Sequence, residues 1–303
     1  MVSAATTSTD GLDSQKLHYV DVDGIRTRYY EDGSGDPLLL VHGGNIASFY
    51  SLEAWSLNLP GLAERFHVYA LDKLGQGYTD NPSRDEDYSY DAQYRHFSGF
   101  VRTLGITNIS LVGHSRGALP VSHLALEHPE LVSKLVIVDS NTAAANHPSF
   151  EGGKFYIDIR KRTPAGAPTL ETVRMEADGQ SHSTAHVTDA FVAGMLAIAL
   201  QPKLQEAARK LDELNMSTWT PSIERGRRDL LRAIDDRGFS VPTLLVWGVN
   251  DPSAPLPLGY QIFERIALKT SQTELHVFNG AGHYSFREHP AAFNRVLASF
   301  LQS

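Results

Sequence analysis

Gly113 to Gly117 form a G-x-S-x-G pattern that places the hydroxyl of Ser115 between two glycines. An apolar run, Ile109 to Val112, precedes the pattern, and a helical pattern, Ala118 to His128, follows it. A tight strand-to-helix turn needs both glycines, because a side chain there would clash. The turn exposes the hydroxyl and directs the first helix N–H groups towards it, where they stabilise negative charge. The pattern predicts a nucleophile at Ser115; the alternative is a glycine-rich turn with an idle serine.

A serine nucleophile needs a base, and the base needs a carboxylate that orients it. His283 follows a predicted strand, Glu274 to Phe278, and Asp251 follows another, Leu244 to Trp247. Both therefore lie at carboxyl ends of strands, where open α/β sheets place their sites. Asp139, at the end of the preceding strand, stays open as a second candidate acid. The Gly248-x-x-Asp251 context favours Asp251, so the predicted triad is Ser115, Asp251 and His283.

Buried strands and helices alternate from about residue 38 to residue 140, which predicts a parallel sheet with right-handed crossovers. From Thr142 to Gly238 the patterns are mainly helical, and the sheet resumes at Pro242. The fold class is therefore α/β, with a mostly parallel central sheet flanked by helices. We assign residues 16–141 and 239–303 to the core, 142–238 to an inserted helical cap, and 1–15 to a disordered tail.

Composition narrows the range of partners. The chain has 303 residues and a formal net charge of −8, and no lysine or arginine run offers a basic surface, which argues against nucleic acid. It contains no cysteine, which excludes thiolate sites and is compatible with a reducing cytosol. The longest apolar run, Phe191 to Leu200, is too short to cross a bilayer. We expect a cytoplasmic monomer or homodimer that binds neither membrane nor cofactor.

Five motifs together resemble the α/β-hydrolase superfamily, over nearly everything from Val20 to Leu301. They are His42-Gly43-Gly44, Asp72-x-x-Gly75-x-Gly77, Gly113-His114-Ser115-Arg116-Gly117, Gly248-x-x-Asp251 and Gly282-His283. The resemblance implies the α/β-hydrolase fold, with the helical block as its cap. It also implies an oxyanion hole made by the backbone N–H groups of Gly44 and Arg116. One such donor is typically worth about 3 kcal/mol of transition-state stabilisation.

The side chains around the nucleophile carry the remaining expectations. We expect Arg116, Asn45 and Tyr284 to contact the substrate. The Arg116 guanidinium either holds a substrate carboxylate, which arginine binds bidentately, or bridges to a cap carboxylate or solvent. His114 is expected to be structural. His182 and His186 have a spacing that could ligate a metal, but without a His-Glu-x-x-His pattern we expect none.

Within the superfamily the chain resembles the meta-cleavage-product hydrolases of bacterial aromatic degradation. That group usually has Gly-Asn-Ser where this chain has Gly113-His114-Ser115, a longer glycine-rich loop, and Trp where this chain has Tyr284. These departures favour a serine carboxylic-ester hydrolase whose small apolar substrate bears a free carboxylate, such as a monoalkyl phthalate. The alternatives are a C–C bond hydrolase acting on a keto acid and, from another class, a ligand-binding receptor with a slow triad.

Overall fold

The computed structural model describes residues 10–146 and 153–303, which contain an eight-stranded, mostly parallel sheet. The strands lie in the order β1-β2-β4-β3-β5-β6-β7-β8, with β1 and β2 antiparallel to their neighbours and the others parallel. Their bounds are β1 (Leu17–Val22), β2 (Ile25–Asp32), β3 (Pro37–Val41), β4 (His67–Leu71), β5 (Ile109–His114), β6 (Val132–Val138), β7 (Thr243–Gly248) and β8 (Thr273–Phe278). This architecture confirms the predicted fold class.

The central strands are apolar on both faces because helices cover both sides of the sheet. In β3, Leu38 and Leu40 belong to one buried cluster, whereas Leu39 and Val41 belong to the other. Successive side chains of a strand point to opposite faces, so the run of four apolar residues supplies both cores at once. The continuous apolar pattern of this strand is therefore required by two-sided burial.

The described residues also contain eleven α-helices, four of which lie singly between consecutive strands, as the predicted alternation requires. They are α1 (Leu59–Ala63), α2 (Tyr90–Thr103), α3 (Ala118–Glu127), α4 (Lys154–Arg162), α5 (Leu170–Gln180), α6 (Asp189–Ala199), α7 (Pro202–Leu214), α8 (Thr220–Arg237), α9 (Leu256–Ala267), α10 (Ser285–Glu288) and α11 (Pro290–Leu301). Helices α4 to α8 lie between β6 and β7, within the stretch for which the cap is predicted. None of the helices in the described ranges is long and apolar enough to cross a membrane.

The N-terminal segment differs from the mobile tail that we predicted for residues 1–15. Residues 1–9 lie outside the described residues, but Leu12 is buried and the Asp10 carboxylate is bound from several sides. Arg287 Nη2 donates to Asp10 Oδ2 at 2.9 Å, and Thr188 Oγ1 donates to Asp10 Oδ1 at 2.7 Å. Ser56 donates to the same carboxylate. The polar composition predicts a tail, because isolated residues such as Asp10 and Leu12 form no periodic pattern.

A buried charge cluster fixes the start of the sheet against the loops that lead to the site. The Arg28 guanidinium donates through Nε to Asp72 Oδ2 at 2.6 Å and through Nη1 and Nη2 to Glu53 at 2.9 and 2.6 Å. Asp72 Oδ1 in turn accepts from the backbone N–H of Leu52 at 2.8 Å. Asp72, at the end of β4, therefore connects β2 to the loop that contains Leu52 through a buried ion pair with Arg28.

Removing Arg28 should destabilise the fold strongly. In Arg28→Met, two carboxylates would stay buried without a counter-charge, and breaking such a pair costs about 3–5 kcal/mol. The measurement is the free energy of unfolding by urea denaturation. Arg265→Met is the matched control, because Arg265 pairs with Asp235 at the protein surface, where ion pairs contribute little. Similar losses in both variants would contradict the role assigned to the cluster.

Candidate active site

Ser115 lies in a strained turn between β5 and α3. Its backbone has a φ of 51°, a left-handed conformation that non-glycine residues seldom adopt and that concentrates at functional sites. A Cβ on Gly113 would lie 2.5 Å from Gly117 O, and one on Gly117 would lie 2.4 Å from Val41 O. Both glycines are therefore required by close backbone approach, as the sequence pattern predicts. The turn presents Ser115 to a cavity of about 380 Å³.

His283 and Asp251 meet at the same edge of the sheet. His283 Nδ1 donates to Asp251 Oδ2 at 2.6 Å, and both side chains are buried. Asp251 Oδ1 accepts from the backbone N–H groups of Ser253 and Ala254 at 2.7 and 2.8 Å, which fixes the carboxylate. His283 lines the cavity together with Ser115. Two residues of the predicted triad, Ser115 and His283, thus line one cavity, and the third, Asp251, is hydrogen-bonded to His283.

The ionisation of His283 is set by opposing effects. Burial lowers its pKa, but the charge of Asp251 and the hydrogen bond to it raise the pKa more, and Asp139 and Glu176 add to the rise. The net result is a pKa above the ordinary histidine value. A histidine held in one orientation by a carboxylate is suited to taking a proton from a hydroxyl and returning it to a leaving group.

Asp139, the second candidate acid, has other partners. Its Oδ1 accepts from Gly248 N at 2.7 Å and its Oδ2 is 2.6 Å from Ser285 Oγ. Burial and the neighbouring charge of Asp251 raise its pKa well above the ordinary value. Among the described residues, the carboxylate bonded to the His283 ring is that of Asp251. Asp139 instead braces the ends of β6 and β7.

The predicted oxyanion hole has a preorganised backbone. Gly44 has a φ of 80°, and a Cβ there would lie 2.3 Å from Ser48 Oγ. The Gly43 carbonyl, which shares a peptide with the Gly44 N–H, accepts from His42 Nδ1 at 2.8 Å and from Gln76 Nε2 at 3.3 Å. Burial lowers the pKa of His42 to about 3, which keeps this anchor neutral. The peptide is therefore fixed before any substrate enters.

His114 has the structural contacts that we expected. Its Nε2 donates to the His283 carbonyl at 2.9 Å, and its ring lies 4.6 Å from the His283 ring. Burial, followed by the neighbouring His283, lowers its pKa well below the ordinary value. A neutral His114 therefore supports the backbone of His283 and is unsuited to act as a base at neutral pH.

Arg116 lines the cavity beside Ser115. The hydrogen bonds and ion pairs of residues 10–146 and 153–303 include none from this side chain, so the predicted bridge to a cap carboxylate is absent from those ranges. Burial lowers its pKa, yet an arginine stays charged at neutral pH. A partly buried cation without a counter-charge attracts anions, and guanidinium groups bind carboxylates bidentately.

The cavity is also lined by residues that the sequence patterns did not single out. Asn45 and Tyr284, both predicted, line the cavity, and Asn45 Oδ1 is buried without a partner within the described ranges. The further lining residues are Tyr156 and Arg160 of α4, Glu176 and Gln180 of α5, and Tyr50. Burial raises the pKa of Glu176, while His283 and Arg160 oppose the rise. Helical periodicity alone gives no sign that these polar residues face a cavity.

Two other sequence features have ordinary roles. In α6 the apolar residues pack in the hydrophobic core, with Phe191, Met195 and Ile198 buried, and none of them lines the cavity. His186 Nε2 donates to Ser181 Oγ at 2.8 Å, since the Ser181 hydroxyl proton is donated to the Ala177 carbonyl and His186 Nδ1 accepts from Arg287. Over the described part of the chain, no group of three or more acidic or histidine side chains could hold a metal ion.

Comparisons with known proteins agree with this fold. The family model for the alpha/beta hydrolase fold matches residues 36–290, so the chain belongs to the α/β-hydrolase family. It is 28% identical over 278 residues to a 2-hydroxymuconate semialdehyde hydrolase of Pseudomonas sp. (strain CF600), covering 92% of this chain and 91% of that one.

A second relative and two solved structures are also hydrolases by their names. A 2-hydroxy-6-oxo-6-(2'-aminophenyl)hexa-2,4-dienoic acid hydrolase of Metapseudomonas resinovorans is 28% identical over 291 residues, covering 93% of this chain and 90% of the relative. Among solved structures, the serine hydrolase CarC of carbazole degradation matches with a TM-score of 0.74 and 25% identity, covering 94% of this chain and 98% of that one. The meta-cleavage product hydrolase CumD of Pseudomonas fluorescens IP01 has a TM-score of 0.76 at 24% identity, covering 95% and 98%, which shows the fold alone.

Replacing Asp251 or Asp139 by asparagine should affect the activity to different extents. Asp251→Asn should lower kcat for p-nitrophenyl acetate by about 10⁴-fold, because the histidine loses the carboxylate that orients it. Since Asp251 raises the pKa of His283, the acid limb of kcat/KM should move to lower pH in that variant. Asp139→Asn should lower kcat far less. A larger loss in Asp139→Asn, measured in steady-state pH profiles, would assign the acid to Asp139.

Proposed function

We propose that the protein is a serine hydrolase that cleaves a small carboxylic ester bearing a free carboxylate, such as a monoalkyl phthalate. The observation that carries the proposal is Arg116, which lines the cavity beside Ser115 and whose guanidinium has no hydrogen bond or ion pair within the described ranges. A substrate carboxylate would neutralise it bidentately. The cavity, of about 380 Å³, is suited to a small molecule.

The mechanism follows from the groups around Ser115. His283 takes the hydroxyl proton, and Ser115 Oγ attacks the ester carbonyl. The N–H groups of Gly44 and Arg116 stabilise the oxyanion. As the tetrahedral intermediate collapses, the imidazolium gives its proton to the departing alcohol and an acyl-enzyme remains. His283 then deprotonates a water molecule, which attacks the acyl group, and the proton returns to Ser115 as the acid leaves. Asp251 keeps the imidazole oriented throughout.

C–C bond hydrolysis is the second candidate, and the relatives favour it. The hydrolases named above act, by their names, on semialdehydes and hexadienoic acids that carry a carboxylate. The same serine, histidine and anion site would serve a dienoate whose carboxylate lies on Arg116. His114 and Tyr284, where that group usually has Asn and Trp, are the departures on which the preference for the ester rests.

Substrate assays decide between the two reactions. Purified protein is given a monoalkyl phthalate and, separately, a vinylogous diketo acid, and release of phthalate or loss of the dienol chromophore is followed. We expect turnover of the monoester with a kcat/KM at least tenfold above that of the keto acid. The reverse order would establish the C–C hydrolase, and inactivity towards both would refute both substrate classes.

Labelling separates an enzyme from a receptor with a slow triad. A serine-directed fluorophosphonate should label the native protein, and Ser115→Ala should abolish labelling, since no activated hydroxyl would remain at the elbow. Ser140→Ala is the matched control, because Ser140 is buried near the same turn and donates to the Ser115 carbonyl at 2.7 Å. Labelling that persists in Ser115→Ala would remove Ser115 as the nucleophile.

The carboxylate site has its own prediction. Arg116→Leu should raise KM for a monoalkyl phthalate by about 10–100-fold, because a hydrogen bond to a charged group contributes about 1.5–3 kcal/mol. The KM for the neutral dialkyl ester should change little. Arg160→Leu, which removes a cation at the exposed side of the same cavity, is the matched control and should have a smaller effect.

Two outcomes would contradict this assignment. Equal increases in KM for the charged and the neutral ester would show that Arg116 does not bind the substrate carboxylate. A larger increase in Arg160→Leu than in Arg116→Leu would move the carboxylate to the cap side of the cavity.

A further inference from the structure

Gln180 is the last residue of α5, in the predicted cap. Its polar groups contact His283 directly and Asp251 through one intervening residue. Its side chain is 2% exposed. A buried amide must find partners for two donor hydrogens and for its oxygen, or it destabilises the fold. The partners of these hydrogen bonds therefore indicate which groups Gln180 positions.

The main chain of Gln180 contacts the proposed base directly. The backbone N–H of His283 donates to the Gln180 carbonyl at 2.8 Å. This bond joins the C-terminal end of a cap helix to the loop that follows β8. Helix C-termini leave their last carbonyls free for such partners. The position of His283 thus depends in part on where α5 lies.

The amide nitrogen of Gln180 reaches the proposed acid through one hydroxyl. Gln180 Nε2 donates to Ser253 Oγ at 3.2 Å, and Ser253 Oγ donates to Asp251 Oδ1 at 3.0 Å. A hydroxyl has a single proton, so accepting from Gln180 directs the Ser253 proton towards Asp251. The same nitrogen donates to the Tyr156 hydroxyl of α4 at 2.9 Å.

The amide oxygen of Gln180 fixes the aromatic wall beside the base. Tyr284 donates its hydroxyl to Gln180 Oε1 at 2.9 Å, and Tyr50 donates to the same oxygen at 3.4 Å. With these, both donor hydrogens and the oxygen of the amide are used. A side chain needed only to fill space would not require this complete set of polar partners.

We propose that Gln180 is a positioning residue that couples the seating of the cap on the core to the geometry of Asp251 and His283. The proposal rests on the proposed function, because it assumes that these two residues serve Ser115. When α5 is in place, its terminal carbonyl supports His283 and its amide orients Ser253 against Asp251. Displacing α5 would release both contacts together, so reactivity at Ser115 would depend on the cap.

The test is a double-mutant cycle between Gln180→Met and Ser253→Ala. Each single variant should lower kcat/KM for p-nitrophenyl acetate about tenfold, and the double variant should be no worse than either. Residues that act through one another are non-additive in such a cycle. Losses that multiply to about a hundredfold would overturn the proposal.

The pH profile supplies a second readout. Without the Ser253 proton, more negative charge stays on Asp251, which stabilises the imidazolium. The acid limb of kcat/KM should therefore move to higher pH in both single variants. The titratable groups that face His283 are unchanged in these variants, namely Asp251, Asp139, Glu176, His114 and Tyr284. An acid limb that stays in place in both would overturn the proposal.

Val173→Ala controls for a looser cap. Val173 lies in α5 and is buried, but it packs in the hydrophobic core and does not line the cavity. It should leave the acid limb unmoved. If Val173→Ala reproduces the profile of Gln180→Met, the effect is one of packing and the proposal fails.

Fluorophosphonate labelling separates this inference from the function on which it rests. If the wild-type protein is not labelled at Ser115, the proposed function fails and the inference falls with it. If the wild-type protein is labelled and Gln180→Met is labelled at the same rate, only the inference fails. We expect labelling of Gln180→Met to be about tenfold slower.

Discussion

The close approach of backbone segments around Ser115 is the constraint on which the rest of the structure depends. A Cβ on Gly43 would lie 2.9 Å from Ser115 Cβ, and Gly117 leaves no room for one against the end of β3. Two strand ends and a helix start can meet this closely only where side chains are absent. Gly44 and Arg116, whose N–H groups form the proposed oxyanion hole, stand next to Gly43 and Gly117 in the chain. The glycines that permit the close approach therefore adjoin the residues proposed to stabilise charge.

The core of the site could be predicted because its residues follow from local geometry. Ser115, Asp251 and His283 each stand just past the carboxyl end of a strand, and parallel strands bring those ends to one edge. The glycines beside them are required by turns that recur wherever this geometry is built. An apolar run followed by a glycine and a polar residue can be recognised in the sequence without knowledge of tertiary contacts. Buried strands such as β3 and β7 can be predicted for the same reason.

The cap side of the cavity could not be predicted, since it depends on how helices pack. Glu176 and Gln180 are four residues apart and share a face of α5, but their spacing does not say what that face meets. Tyr156 comes from another helix, and its hydroxyl meets Gln180 only after both helices pack on the core. Asp10 and Leu12 escaped prediction for a related reason, because isolated residues in a polar segment form no periodic pattern.

The Asp10 carboxylate also bears on the order in which the molecule is completed during synthesis. It is bound by Thr188, which caps α6, and by Arg287, 277 residues further along the chain. Domains tend to fold from the N-terminus as the chain emerges, and contacts between distant residues are slow to form. Here the Asp10 carboxylate must wait for Arg287, which is made 277 residues later. The contacts that join Asp10 to α6 and to Arg287 are therefore completed only after both later segments have been made.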